Sequence, residues 1–220
     1  MFDALANVPW TWLLIRASGI TAWGLLTAVV VWGILLRTRV LANVASPQGL
    51  MVMHRWLSAL ALGFLALHMG LLLIDPAVQF TPTQLLVPFT STWQPFAVGL
   101  GTIALWMLIP VSVMGRLRTR LGKAGNAWFR RTHLIAYAAW PVATAHYVLA
   151  GTDALSEWSI GLLIAGTSLI VLALLARAFV PPATPRRATA SAPKAPVRAE
   201  VAAESAAEAP AEASAEPVLV

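Results

Sequence analysis

HRWLSALALGFLALH, residues 54–68, decides how this chain folds. It holds two histidines fourteen positions apart within one long apolar segment. Fourteen steps of about 100° return the second ring to within about 40° of the first, so both share one helix face. A rise of about 1.5 Å per residue sets them about 21 Å apart along the axis, most of a bilayer's apolar thickness of about 30 Å. HLIAYAAWPVATAH, residues 133–146, echoes the pattern at a spacing of thirteen, and the chain has no other histidine. An ionisable group inside a membrane segment is costly, so each of the four is a candidate functional residue.

Working outward, 59% of the 220 residues are hydrophobic and 11% are charged, a balance that excludes an ordinary soluble domain. Five apolar segments, about Trp10–Leu36, Leu50–Ile74, Pro95–Met114, Trp128–Ala150 and Trp158–Val180, are each about 20 residues or longer. The expected fold is all-α: a polytopic membrane helix bundle with five transmembrane helices. The first segment lacks the basic leader of a cleaved signal peptide and is too long for one. Arg37, Arg39 and Arg55 cluster near the first connection; Arg116, Arg118, Arg120, Lys123, Arg130 and Arg131 cluster near the third. Asp3, Asp75, Asp153 and Glu157 lie on the opposite side, free of Lys or Arg. This asymmetry predicts an N-terminus outside and a C-terminus in the cytoplasm, in a cell-membrane protein. Trp10, Trp12, Trp93 and Trp158 then form an outer aromatic belt, and Trp32, Trp56 and Trp128 an inner one. The net charge of +6 is thereby an orientation signal rather than a nucleic-acid footprint.

The outer connection carries TPTQLLVPFTSTW, which is expected to lie on the membrane surface and cap the outer end. Residues 181–220 are rich in Ala, Pro and Glu and are expected to form a disordered cytoplasmic tail after the bundle of residues 1–180. Glu200, Glu204, Glu208, Glu212 and Glu216 recur every fourth residue, a docking face only if a helix forms around Pro210.

The topology pairs the histidines. The second and fourth segments run in the same direction, so His54 and His133 share the cytoplasmic depth and His68 and His146 the outer depth. Neutral imidazole is a good axial ligand for haem iron. The chain has no Cys, which rules out thioether attachment and thiolate sites. Four imidazoles in two matched pairs therefore predict two b-type haems, ligated by His54/His133 and His68/His146. The alternatives are buried packing histidines or a proton path in a haem-free transporter. Zinc lacks nearby Asp, Glu or Cys to complete a tetrahedron. A spacing of thirteen leaves His146 about 140° from His133 on an ideal helix, so a distortion is expected, and Pro141 lies between them. Arg16 lies about 9 Å into the first helix, at the depth of His68. Its expected partner is a haem propionate, against simple snorkelling. Arg55, Arg130 and Arg131 read as orientation charges at the rim. The small residues Ala17, Ser18, Gly19, Ala22 and Gly24 allow close helix approach or room for a macrocycle. Phe64, Trp106 and Trp140 sit near mid-membrane, as packing or between the haems.

RASG (16–19), His54/His68 and WFRRTHLIAY…HYVLAGTD (128–153) resemble the ferric reductase-like transmembrane domain of ferric-chelate reductases and NADPH oxidases. The resemblance covers about Trp10 to Val180. It implies a haem-binding bundle that moves electrons from the inner face outward, with an Arg beside the outer haem at the position of Arg16. Relatives that act alone add a flavin- and nicotinamide-binding domain, and many have six spans. This chain shows five, and no glycine-rich dinucleotide fingerprint. The resemblance thus implies a separate reductase or the quinol pool as donor. The implied acceptor is a ferric chelate, oxygen or a partner protein. A second expectation is a haem-bearing membrane anchor subunit of a larger oxidoreductase, such as a periplasmic methionine-sulfoxide reductase system, with no turnover alone.

Overall fold

Long apolar runs can satisfy their backbone groups in lipid only as helices or closed barrels, and this chain takes the helical route. The computed structural model describes residues 10–38, 40–41, 45–118 and 120–180. Expectations for Asp3, Arg39 and the tail at 181–220 lie outside the described residues. The helices are α1 (Trp10–Leu35), α2 (Pro47–Ile74), α3 (Pro82–Leu86), α4 (Pro95–Leu117), α5 (Gly122–His133), α6 (Ile135–Ala150) and α7 (Glu157–Phe179). Four of them, α1, α2, α4 and α7, are long and apolar enough to cross a membrane, and the chain is a multi-pass integral membrane protein. Leu60, Leu67, Ile164 and Leu172 are exposed on its outside, a surface suited to lipid.

The segment Trp128–Ala150, expected as one continuous span, is divided. A 12-residue α5 ends at His133 and a 16-residue α6 begins at Ile135, with Leu134 as the joint. Backbone bonds tighten there, from Leu134 N to the Arg131 carbonyl (3.3 Å) and from Tyr137 N to the Leu134 carbonyl (3.1 Å). Such i→i−3 bonds are the usual form of an interrupted helix. The polar run Arg130–His133 ends the apolar stretch, so uninterrupted apolar sequence starts only at Leu134. The helix runs on through Pro141, and the interruption is at Leu134 instead.

Ser46 caps α2 by accepting from Gly49 N, with Pro47 in the first turn. Thr81 and Gln84 form a reciprocal capping box on α3. Helix α1 packs against α2, α6 and α7, while α4 packs against α5 and α6. Leu26, Val30, Ile34, Ile170 and Ala173 make the core between α1 and α7.

Two polar contacts fasten α1 to α6. Trp23 Nε1 donates to Thr144 Oγ1 (3.0 Å), and Trp140 Nε1 donates to Thr27 Oγ1 (2.9 Å). Each threonine hydroxyl in turn donates to the carbonyl of the tryptophan four residues earlier in its own helix. The clasp is reciprocal, with Trp-x-x-x-Thr on both sides. Trp140 is thus a fastening residue. Trp106 is half exposed and donates to the Leu86 carbonyl (2.8 Å), tying α3 to α4.

Candidate functional site: two imidazole pairs on one cavity

All four histidines line one cavity, bordered by α1, α2, α4, α5 and α6. Three meet a glycine on a neighbouring helix. A Cβ on Gly19 would lie 3.0 Å from His68 Cε1 and Nδ1, and one on Gly33 3.3 Å from His54 Cε1. One on Gly101 would lie 2.7 Å from His146 Cε1. Gly19 and Gly33 are fourteen residues apart on α1, as His54 and His68 are on antiparallel α2. The absence of a side chain lets each ring approach the neighbouring helix where a Cβ would crowd it. Gly24 has open space around its Cβ position, so only Gly19 of those two glycines serves a ring.

The pairs differ in what holds them. His68 Nδ1 lies 2.9 Å from the Ile15 carbonyl and His146 Nδ1 2.7 Å from the Ala97 carbonyl. A carbonyl can only accept, so each contact requires the proton on Nδ1 and leaves the Nε2 lone pair free for a metal. His54 and His133 have buried Nδ1 atoms with no hydrogen-bond partner among the described residues. Their ring centroids are 6.2 Å apart at an interplanar angle of 68°. A metal bonded at about 2 Å to both Nε2 atoms, each roughly 1.1 Å from its ring centre, sets about 6 Å between centroids. The spacing therefore fits an axial pair. Phe129 packs on His133 (centroids 4.8 Å), and Arg118 lies over Phe129 (4.8 Å). Among the described residues no three His, Asp or Glu side chains gather as a metal-ion site.

Arg16 lines the cavity near His68, but its partner comes from the chain itself. It forms an ion pair with Asp153, in the connection from α6 to α7, and stacks 4.0 Å over the Trp12 ring. A propionate contact at Arg16 would thus have to share the guanidinium with Asp153. Asp75, also buried on the cavity wall, accepts from Thr11 Oγ1 (2.9 Å) and Val78 N (3.2 Å). Val78, Phe80, Leu85 and Trp93 of the long connection complete the wall at this end. Arg55, Arg130 and Arg131 are exposed and do not line the cavity.

Sequence reasoning missed Gly33, Gly101, Asp153 and the two carbonyls. The repeat of fourteen between Gly19 and Gly33 was the one signal available for the first of these. The carbonyls of Ile15 and Ala97 carry no signal, because every residue has one.

No protein-family model, curated protein or solved structure matches this chain.

Proposed function

We propose that the chain is a b-type di-haem cytochrome of the ferric reductase-like class, carrying electrons across the membrane. The carrying observation is a pair of imidazoles at each end of one cavity, with Nε2 left free at the His68/His146 end. Haem supplies one-electron chemistry when bound. His54 and His133 would hold one such group, and His68 and His146 the other. Gly19, Gly33 and Gly101 admit the rings, and the apolar wall excludes water. Arg16 offers a cation to a propionate in competition with Asp153. In this reading α6 is the fifth span, preceded by α5. The basic loops face the cytoplasm, with the N-terminus outside and the C-terminus inside. With such groups bound, the His54/His133 end would take electrons from a quinol or a separate reductase, and the His68/His146 end would pass them to a ferric chelate, oxygen or a partner protein.

A second reading, a haem-bearing anchor subunit that turns over nothing alone, is favoured by the His54/His133 rim. There Arg55, Lys123, Arg130 and Arg131 are exposed without a carboxylate partner among the described residues, a surface suited to an acidic redox protein.

The test is a reduced-minus-oxidised spectrum with haem quantitation on the purified protein, His54→Ala and His68→Ala. About two haems per chain are expected, falling to about one in each variant. A colourless protein would overturn the proposal. Reduction of ferric chelate with quinol as sole donor supports the first reading, and turnover only with a partner supports the second.

A further inference from the structure

No charged residue stands between Asp75 and Arg116. Within that run, residues 81–92 read TPTQLLVPFTST, an apolar centre between two polar arms. The arms lie against each other. Gln84 Nε2 donates to Thr92 Oγ1 (3.3 Å), and Thr90 Oγ1 donates to the Val87 carbonyl (2.9 Å). At the base Phe80 meets Trp93 edge to face, with centroids 6.3 Å apart. Phe89 takes a left-handed backbone (φ 67°) that turns the chain back. The segment is a hairpin, with α3 as its first arm.

Its contacts with α4 deepen toward the tip. Phe89 packs on Gly99, where a Cβ would lie 2.9 Å from the Phe89 backbone nitrogen. Thr102 Oγ1 donates to the Leu85 carbonyl (3.0 Å), and Trp106 Nε1 donates to the Leu86 carbonyl (2.8 Å). Gly99, Thr102 and Trp106 share one face of α4 and lie about 6, 10 and 16 Å past its first residue, Pro95. Side chains lean back toward a helix N-terminus by up to about one turn, roughly 5.4 Å, so the Leu86 carbonyl lies about 11 Å or more along α4. The 23 residues of α4 measure about 34 Å. Centred on an apolar layer of about 30 Å, the helix starts about 2 Å outside it, and the Leu86 carbonyl stands about 9 Å inside.

Backbone at such a depth needs protein partners, because lipid offers none. The carbonyls of Thr83, Leu85, Leu86 and Val87 all accept hydrogen bonds, two of them from α4 side chains. The side chains at the tip divide. Leu85 is buried and lines the cavity, with Phe80 and Trp93. Leu86, Val87 and Phe89 are about half exposed, and they extend the exposed apolar stripe of Trp106, Ile109 and Val113 on α4. We propose that residues 80–93 form a re-entrant hairpin whose tip stands among the acyl chains of the lipid leaflet at the His68/His146 end, rather than resting on the membrane surface. Its inward side closes the cavity to water there. The hairpin needs only the spanning helices and is independent of haem.

The chain has no Cys, so a single introduced cysteine reports alone. The test places the full chain in phosphatidylcholine nanodiscs, which leave both membrane faces open to reagent. It compares Val87→Cys at the tip with Ala77→Cys just past the end of α2; both positions are exposed. The thiolate is the reacting form, and an apolar surrounding suppresses it. A charged maleimide should label Val87→Cys about tenfold or more slowly than Ala77→Cys, and the two equally in SDS. A fluorophore coupled to Val87→Cys before reconstitution should be quenched more by a spin label on the acyl chain than by one on the headgroup. Equal labelling rates in nanodiscs would overturn the proposal and mark the tip as a water-facing surface open to a protein partner. Slow labelling without acyl-chain quenching would overturn it too, because protein and not lipid would then cover the tip. Either failure leaves the di-haem reading intact.

Discussion

The α1–α2 hairpin and the α4–α6 hairpin solve the same geometric problem in different ways. In the first, α2 with its two histidines lies antiparallel to α1 with its two glycine notches; in the second, His146 of α6 meets the single notch at Gly101 of α4, and His133 at the end of α5 meets no glycine. In α2 the spacing is fourteen, which brings both rings to one face, and the helix is unbroken. In the other hairpin the spacing is thirteen, and the helix is broken at Leu134, directly after His133. The joint frees His133 from the phase of α6, so that His133 meets His54 while His146 rests on Gly101. The lesson is that one residue fewer between two paired histidines is accommodated where the backbone changes pitch.

That contrast can be broken most forcefully by insertion. One Ala between Ala61 and Leu62 rotates His68 by about 100° against His54 and should remove about one of two haems per chain. One Ala after Leu134 restores a spacing of fourteen beside an existing joint and should keep both. Equal losses from the two insertions, read by haem quantitation, would show that the joint has no such role.

Smaller effects should follow the glycine contacts. Gly101→Ala meets a ring fixed by the Ala97 carbonyl and should cost most of the haem at His68/His146. Gly33→Ala meets a ring without such a tether and should cost little. Gly24→Ala, with open space around it, should leave haem content unchanged and the helix up to about 1 kcal/mol more stable. A spectrum and a thermal melt of each check the order.

The smallest effect belongs to the clasp. Thr27→Val removes the acceptor of Trp140 and should destabilise by about 0.6–2 kcal/mol without changing haem content. Thr144→Val should match it, because the contact is reciprocal. Denaturant or thermal unfolding in detergent measures both.

Much of this was legible in the sequence because charge and apolarity are incompatible in lipid. His54, His68, His133, His146 and Arg16 stood out for that reason, and all five line one cavity. The four long helices follow from apolar length alone. The partner of Arg16 was not legible: Asp153 lies 137 positions away in a connection, and no local pattern joins them. The break at Leu134 was hidden for a different reason. The apolar window from Trp128 to Ala150 averages over Arg130–His133, whereas a helix in lipid responds to each polar residue in turn. Glycines are common in membrane helices, so Gly33 and Gly101 gained meaning only once a ring was seen against them.

The Trp–Thr clasp also bears on biosynthesis. Its two hydrogen bonds join residues 113 and 121 positions apart. At about 5–20 residues per second, the ribosome needs roughly 6–23 s to deliver Trp140 after Thr27 has emerged. During that wait the indole of Trp23 lacks its eventual acceptor. Until then the α1–α2 hairpin relies on contacts of its own, such as Trp32 Nε1 to the Leu50 carbonyl (2.9 Å) and His68 Nδ1 to the Ile15 carbonyl (2.9 Å), and α6 latches onto α1 as a late event.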